Sequence, residues 1–197
     1  ITLANAAIVD YLVDSHQQPF FGVSLHSEET VVVDYGGANV AKEMHVGHLR
    51  SANIGDAIVR LLSFLGYKVI RQNHLGDWGT QFGMLIELIL EDELLIDDQT
   101  PISTLNKWYQ QAKQRFDADA DFSARAKARV VQLQQGDEKT RELWQKLVKQ
   151  SALSFNEVYR RLNVLLEPGD NCGESFYNDR LSGLVEELKD KKLAGMS

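Results

Sequence analysis

The sequence predicts an α/β fold in which a parallel sheet is interrupted by a helical insertion, and three observations predict it. Residues 28–37 form a β-branched apolar run that ends in two glycines, which is typical of a buried strand leading into a loop. An amphipathic helix closed by Gly66 and a second apolar run at 67–73 follow, so this part should be a βαβ unit with parallel strands. Residues 97–162 carry no strand signal and are rich in Gln, Lys, Arg and Asp, which indicates helices.

The individual helices are predicted from their apolar spacing. The helix between the two strands carries apolar residues at Ile54, Ala57, Ile58, Leu61, Leu62 and Leu65. A second helix should cover 79–93, and Asp137 is a candidate N-cap for a long one. The stripe of that long helix is Trp144, Leu147, Val148, Ser151, Phe155, Tyr159 and Leu162. The β pattern returns at 163–167, and an amphipathic helix should cover 178–193.

These elements divide the chain into four segments. Residues 1–27 are the tail of a preceding region or a linker, and 28–96 are the first half of the α/β domain. Residues 97–162 are the helical insertion, and 163–197 continue the α/β domain. Another strand would be expected after the last helix, so we predict that the sheet is incomplete.

The composition is that of an ordinary globular protein, with 44% hydrophobic and 25% charged residues among 197. The formal net charge of -7 opposes RNA binding, so an RNA contact requires a local basic patch or other parts of the protein. No apolar run approaches the roughly 20 residues that cross a bilayer, so we expect no membrane contact. The single cysteine, Cys172, forms no internal disulfide, which fits a reducing, cytoplasmic setting.

The segment His45-Val-Gly-His48 lies between the first strand and the first helix. A helix N-terminus at that junction offers free backbone N–H groups and a partial positive charge, which suit phosphate. The two histidines lie on one side of the first turn, Gly47 leaves room for a nucleotide, and Lys42 adds a cation. This combination favours the stabilisation of charge at phosphorus.

Other interpretations of the two histidines are weaker. Nucleophilic catalysis is disfavoured because no serine or cysteine is paired with either ring. Metal binding is disfavoured because carboxylate and cysteine partners are absent nearby, so we predict no protein-bound metal. A purely structural role, ending a strand and capping a helix, stays open.

A second polar group follows the second predicted strand, at the same edge of the sheet. Its candidates are Asn73, His74, Asp77, Thr80 and Gln81. The glycines that flank Asp77 allow the backbone to approach a ligand closely. The structural alternative is that Asp77 caps the next helix and that Trp78 belongs to the core.

Residues 34–51, which contain His45-Val-Gly-His48, resemble the arginine version of the His-Ile-Gly-His signature of class I aminoacyl-tRNA synthetases. The resemblance continues through 54–56 and through Gly76-Asp-Trp-Gly-Thr-Gln-Phe-Gly-Met84, a block that looks characteristic of the arginine enzymes. Weaker similarity extends through 135–138, 144–147, 159–164 and 173–178, so the resemblance covers most of the chain. One departure is Gly36-Gly37-Ala38, where family members commonly have Ser-Ser-Pro or Ser-Ala-Pro. Losing the proline frees one φ angle, so we expect a more mobile loop.

The resemblance implies a Rossmann-like nucleotide-binding domain and a two-step reaction. The carboxylate of L-arginine would attack the α-phosphate of ATP, bound as its Mg²⁺ complex, and the arginyl group would then pass to tRNA-Arg. Arginine activation in this family characteristically needs the tRNA to be bound. The ATP-binding residues implied are Lys42, His45, Gly47 and His48, all of them catalytic except Gly47. The arginine-binding residues implied are Asp34, Asn39 and His45, with Asp34 against a cationic group of the substrate.

Two other functions stay open at this point. The chain is alternatively a non-catalytic nucleotide-binding paralogue or module, or a small-molecule nucleotidyl transferase with the same histidine signature. The arginine-type blocks disfavour the second alternative only. A basic group in the insertion forms either a tRNA-facing patch or an ordinary exposed face: Arg125, Lys127, Arg129, Lys139, Arg141 and Lys146.

The resemblance also implies parts that these 197 residues do not contain. They include a Lys-Met-Ser-Lys-like loop and a helical anticodon-binding region, through which most of the tRNA contact would be made. We therefore expect the isolated chain to form no arginyl-tRNA.

Overall fold

The structure is a computed structural model that describes residues 2–24, 29–97 and 99–195. Within those residues it contains two strands, β1 (Thr30–Asp34) and β2 (Lys68–Gln72), and seven α-helices. The helices are α1 (Asn5–Gln17), α2 (Val46–Phe64), α3 (Thr80–Glu91), α4 (Ile102–Ala118), α5 (Ala120–Gln135), α6 (Glu138–Leu162) and α7 (Asn178–Asp190). Three short 3-10 turns lie at Pro19–Gly22, Pro168–Asp170 and Glu174–Tyr177.

β1 and β2 pair in parallel, with Val32 beside Ile70, and α2 makes the crossover between them. The predicted βαβ unit is therefore confirmed. Side chains alternate between the faces of a strand, so Val33 packs against the core while Val32 is 57% exposed. The carboxyl ends of both strands lead into the loops that carry the predicted polar residues.

The helix α2 is confirmed, but its buried side is not the predicted apolar stripe. Its buried residues are Ala52, Gly55, Asp56 and Val59. Ile54, Ile58 and Leu61 of the stripe are exposed. The reason is close packing on Tyr35: a Cβ at Gly55 would lie 2.2 Å from the Cβ of Tyr35. Small residues therefore face the sheet, because larger ones would not fit there.

The predicted insertion is helical, as expected, and its helices pack around α3. Phe82 and Leu85 of α3 share one buried cluster with Leu105 of α4, Leu133 of α5 and Leu147 of α6. Within the long helix α6, the fully buried part of the predicted stripe is Leu147, Ser151, Phe155 and Tyr159. The division of the chain into four segments stays a prediction.

The N-cap prediction for α6 is confirmed. The carboxylate of Asp137 accepts a hydrogen bond from the Thr140 backbone N–H at 2.9 Å. This contact satisfies one of the backbone donors that a helix start leaves without an intrahelical partner.

The predicted strand at 163–167 is wrong. Helix α6 ends at Leu162, its C-cap Asn163 has a φ of 56° that turns the chain, and residues 164–167 form no strand. Val164 and Leu166 are buried, which explains the apolar pattern. The Leu165 backbone N–H donates to the Asp56 carboxylate at 2.6 Å, where a strand would donate to a neighbouring strand. Parallel pairing with the β2 side begins only at Asn171.

Helix α7 corresponds to the predicted terminal helix but ends at Asp190, before the predicted 193, and none of its residues is buried. In the described ranges, no helix is long and apolar enough to cross a membrane.

Candidate functional site

The two histidines of the signature cap the start of α2 reciprocally. The backbone N–H of His45 donates to Nδ1 of His48 at 3.2 Å, and the backbone N–H of Gly47 donates to Nδ1 of His45 at 3.1 Å. The two imidazole rings lie with their centroids 3.9 Å apart and their planes at 30°. The predicted proximity of the two rings is thus present. Their capping role, which the structural interpretation anticipated, is present as well.

This capping decides which ring nitrogens are available. A nitrogen that accepts a backbone N–H carries no proton, so each neutral ring keeps its proton on Nε2. Both histidines therefore present an Nε2–H donor beside the N-terminus of α2. Burial lowers the pKa of His48 below its ordinary 6.5, and the neighbouring His45 lowers it further, so His48 is neutral at pH 7. Neutral donors at a helix N-terminus are suited to binding anionic oxygen atoms.

The space beside Gly47 is occupied by a neighbouring ring. A Cβ at Gly47 would lie 2.8 Å from Cε1 of His45, so a larger residue would displace the His45 ring. A larger residue at this position would therefore disturb the arrangement of the two histidines. Contact between Gly47 and ATP stays a prediction.

The loop that precedes α2 is joined to the turn that follows β2. The Val40 backbone N–H donates to the Gly76 carbonyl, and the Gly76 N–H donates to the Ala38 carbonyl, both at 3.1 Å. A Cβ at Gly76 would lie 2.2 Å from Oδ1 of Asn39, so the Asn39 side chain lies directly against this glycine. The two predicted groups of site residues are thus held together by backbone hydrogen bonds.

Asn73 is a buried connection between loops, with 1% of its surface exposed. Its Oδ1 accepts from the Gly37 backbone N–H at 2.9 Å, and its Nδ2 donates to Oδ1 of Asn171 at 2.8 Å. Gly36 and Gly37 have φ angles of 96° and 70°, which favour glycine. Where the family commonly has Ser-Ser-Pro or Ser-Ala-Pro, this chain therefore has two glycines in conformations that favour glycine. The expected loop mobility stays a prediction.

Asp34 and His74 are brought together at the same edge. Nδ1 of His74 lies 3.0 Å from Oδ2 of Asp34, at the ends of two adjacent parallel strands. Nε2 of His74 lies 2.9 Å from the hydroxyl of Tyr177. The sequence interpretation missed Tyr177, since nothing local links it to a residue 103 positions earlier.

The other members of the second polar group are placed differently. Asp77 is buried and accepts from the backbone N–H and the hydroxyl of Ser175, at 2.9 and 2.6 Å. It does not cap α3, whose N-cap is Gly79, so this detail of the structural alternative is wrong. Gln81 donates to the carbonyls of Gly76 and Trp78, while Thr80 is exposed in the first turn of α3.

Lys42 contacts the helical insertion. Its ammonium lies 4.4 Å from the centroid of the Tyr109 ring, on α4. A cation held over an aromatic face is attracted by the ring quadrupole, by about 0.5–1 kcal/mol at exposed sites. Tyr109 was also missed from the sequence. The contact links the loop before α2 to the insertion.

Part of the basic group in the insertion is paired within the chain. Arg125 and Arg129 of α5 donate to opposite oxygens of Glu87, a buried residue of α3, at 3.0 and 2.9 Å. These two arginines join α5 to α3. Both arginines therefore pair with a residue of the chain itself. This pairing supports neither a tRNA-facing patch nor an ordinary exposed face.

Comparison with known proteins confirms the family resemblance that the sequence predicts. A family model described as "tRNA synthetases class I (R), catalytic domain" matches residues 8–197. The chain belongs to this family. Its α/β fold is that of the arginine-type class I synthetases, as predicted.

Individual relatives agree with the family. The chain is 50% identical to arginine–tRNA ligase of Frankia casuarinae, over 95% of the chain and 33% of the relative. It is 48% identical to that of Escherichia coli, over 98% of the chain and 34% of the relative. The crystal structure of arginyl-tRNA synthetase from Plasmodium falciparum matches with a TM-score of 0.73 and 36% identity, over 95% of this chain and 34% of that one. The chain thus spans about a third of the length of the curated relatives that it matches.

Proposed function

We propose that this chain forms the ATP- and arginine-binding part of an arginine–tRNA ligase. The observation that carries the proposal is the pair of Nε2–H donors that His45 and His48 present at the N-terminus of α2, with Asp34 at the adjacent strand end. The substrates are ATP as its Mg²⁺ complex, L-arginine and tRNA-Arg, and the reaction takes place in the cytoplasm. Most of the tRNA is bound by parts of the protein outside these residues.

In the first step, a carboxylate oxygen of arginine attacks the α-phosphorus of ATP. A new P–O bond forms to give arginyl-adenylate, and the bond to the pyrophosphate group breaks. Negative charge on the phosphate oxygens is stabilised by the Nε2–H groups of His45 and His48 and by the partial positive charge of the α2 N-terminus. Lys42 supplies a full positive charge on the same loop. In the second step, a ribose hydroxyl of tRNA-Arg attacks the arginyl carbonyl and releases AMP.

Asp34 and Asn39 are the arginine-binding residues of the proposal. A cationic group removed from water requires a fixed anionic partner, and Asp34 is a carboxylate held at the end of β1. Asn39 lies on the loop that is hydrogen-bonded to Gly76, so its backbone is fixed beside the same edge. His45 is assigned to both substrates.

The decisive test separates the capping role of His48 from its donor role. His48→Ala removes both the Nδ1 acceptor and the Nε2–H donor. His48→Asn retains an acceptor for the His45 backbone N–H but has no donor at the Nε2 position. In the full-length protein, both variants should slow arginine-dependent exchange of pyrophosphate into ATP, with tRNA present, by on the order of a hundredfold. His16→Ala, on the exposed face of α1, is the control and should leave the rate unchanged.

A wild-type protein without arginine-dependent exchange would refute the proposed function. A loss limited to Michaelis constants, with turnover retained, would instead assign His48 to binding of the substrate ground state. Full activity of His48→Asn would show that only the helix cap matters. The inactivity of the isolated chain stays a prediction.

A further inference from the structure

A continuous line of polar contacts leads from Asp34 into the segment before α7. Oδ2 of Asp34 contacts Nδ1 of His74 at 3.0 Å, and Nε2 of His74 contacts the Tyr177 hydroxyl at 2.9 Å. The Sγ of Cys172 lies 3.6 Å from the same hydroxyl. These contacts join the end of β1, the end of β2 and the 3-10 turn Glu174–Tyr177.

The hydrogen bonds in this line have one direction. An ionised carboxylate only accepts, so Nδ1 of His74 is the donor to Asp34. In the neutral ring, Nε2 is then the acceptor, and the Tyr177 O–H is its donor. The pKa of Tyr177 is raised, first by its hydrogen bond with Cys172 and then by burial, so this hydroxyl keeps its proton. Every donor in the series thus points towards Asp34.

This arrangement prepares Asp34 for a cation. An imidazole N–H that donates to one carboxylate oxygen fixes the orientation of the group. With Oδ2 held by His74, Oδ1 is the oxygen left to face a substrate. Asp34 is 56% exposed, so a side chain without this support would sample several rotamers before binding.

Tyr177 is itself fixed in place by hydrogen bonds that do not involve Asp34. The Glu174 backbone N–H donates to the Leu75 carbonyl at 3.1 Å, and the Cys172 N–H donates to the Asn73 carbonyl at 2.9 Å. Ser175 is held by the buried carboxylate of Asp77. The segment before α7 is therefore attached to the end of β2 on both sides of His74.

We propose that His74 is a positioning residue for the arginine substrate, and that the Tyr177 hydroxyl supports it by donating to Nε2 of His74. His74 orients Asp34 so that its free oxygen receives a cationic group of arginine, and it does not touch the substrate itself. The role rests on the proposed function, because it assigns Asp34 to arginine. It adds that the segment Cys172–Tyr177 determines how well arginine is recognised, without affecting ATP.

The test compares Michaelis constants in the full-length protein. His74→Ala removes the hydrogen bond to the carboxylate and should raise KM for arginine about tenfold or more. Tyr177→Phe removes the hydroxyl that contacts both His74 and Cys172 and should raise KM for arginine by about fivefold. His74→Asn, whose amide nitrogen replaces Nδ1 as a donor, should recover part of the loss and resemble Tyr177→Phe. KM for ATP should change less than twofold in all three variants. Tyr11→Phe removes an exposed hydroxyl on α1 and is the matched control.

A double-mutant cycle with Asp34→Asn distinguishes a positioning role of His74 from a merely structural one. If His74 acts through Asp34, adding His74→Ala to Asp34→Asn should raise KM for arginine less than twofold further. Fully additive losses, or equal losses for arginine and ATP, would overturn the positioning role. An unchanged KM for arginine in His74→Ala would overturn it as well. Failure of the proposed function is distinct, because the wild-type protein would then lack arginine-dependent activity.

Discussion

The start of α2 and the turn after β2 carry similar polar residues but use them in opposite ways. At the start of α2, backbone N–H groups occupy the inner nitrogens of His45 and His48, and the outer nitrogens are left as donors. In the turn after β2, Asn73 and Asp77 are buried and use their side-chain oxygens to hold neighbouring loops. A polar residue at this edge of the sheet can therefore contact a ligand only if its hydrogen bonds within the protein leave one of its polar atoms free.

The turn after β2 should tolerate few changes, because its buried Asn73 and Asp77 side chains are both engaged. Asn73 connects Gly37 to Asn171, and Asp77 fixes Ser175. Each buried oxygen that loses its donor costs about 1–3 kcal/mol, because it has already been removed from water. The turn thus acts as a rigid support, while the histidines of α2 remain open to a ligand.

Gly36→Ala should weaken this support most strongly. Its Cβ would lie 2.6 Å from Oδ1 of Asn73 and 2.8 Å from the Tyr159 hydroxyl, at a φ of 96°. Asn73 is buried and held on two sides, so it cannot move away. The backbone strain and the overpacking together should lower the free energy of unfolding by about 3 kcal/mol. The midpoint of urea unfolding of the full-length protein measures this change.

Gly37→Ala is the matched control for that measurement. Gly37 also has a positive φ, of 70°, but a Cβ there would have only the His74 carbonyl nearby, at 3.8 Å. Only the backbone strain remains, so the free energy of unfolding should fall by about 1 kcal/mol. Equal losses for the two variants would show that contact with Asn73 does not limit residue 36.

The sequence identifies the open residues of the site better than the supporting ones. His45 and His48 are neighbours along the chain, and the strand–helix junction around them is predictable from local patterns. Tyr177 lies 103 positions from His74, and the sequence gives no local sign that the two meet. The same limit explains the wrong strand at 163–167. Its apolar residues are buried as expected, but its backbone N–H at Leu165 bonds to the distant Asp56.

A smaller effect is expected where the insertion contacts the loop before α2. Tyr109→Leu removes the aromatic face under the Lys42 ammonium, a loss of about 0.5–1 kcal/mol. Lys42 would then be less well positioned for the ATP phosphates, and KM for ATP should rise about threefold. Tyr109→Phe keeps the ring and should behave as wild type. If both variants raise KM for ATP equally, the tyrosine hydroxyl is responsible, and the ring is not.

The smallest effect concerns pH and the cap of α2. The pKa of His48 is lowered below 6.5, first by burial and then by His45, so the unfolded chain takes up this proton more readily than the folded one. The contribution of His48 to stability is therefore complete above pH 6.5 and falls as the pH drops through 6.5 towards the lowered pKa. Protonation at Nδ1 also removes the acceptor for the His45 backbone N–H.

His48→Asn isolates this pH effect, because asparagine does not titrate in this range but still offers an oxygen to the His45 backbone N–H. The urea midpoint of the wild-type protein should fall more than that of the variant between about pH 7.5 and pH 5.5, a window that brackets the ordinary histidine pKa. Identical pH profiles would mean that the His48 proton is bound equally in both states. In that case the cap would not hold the ring in its neutral form. The histidines at the start of α2 would then differ from the turn after β2 only in their hydrogen bonds, and not in their charge.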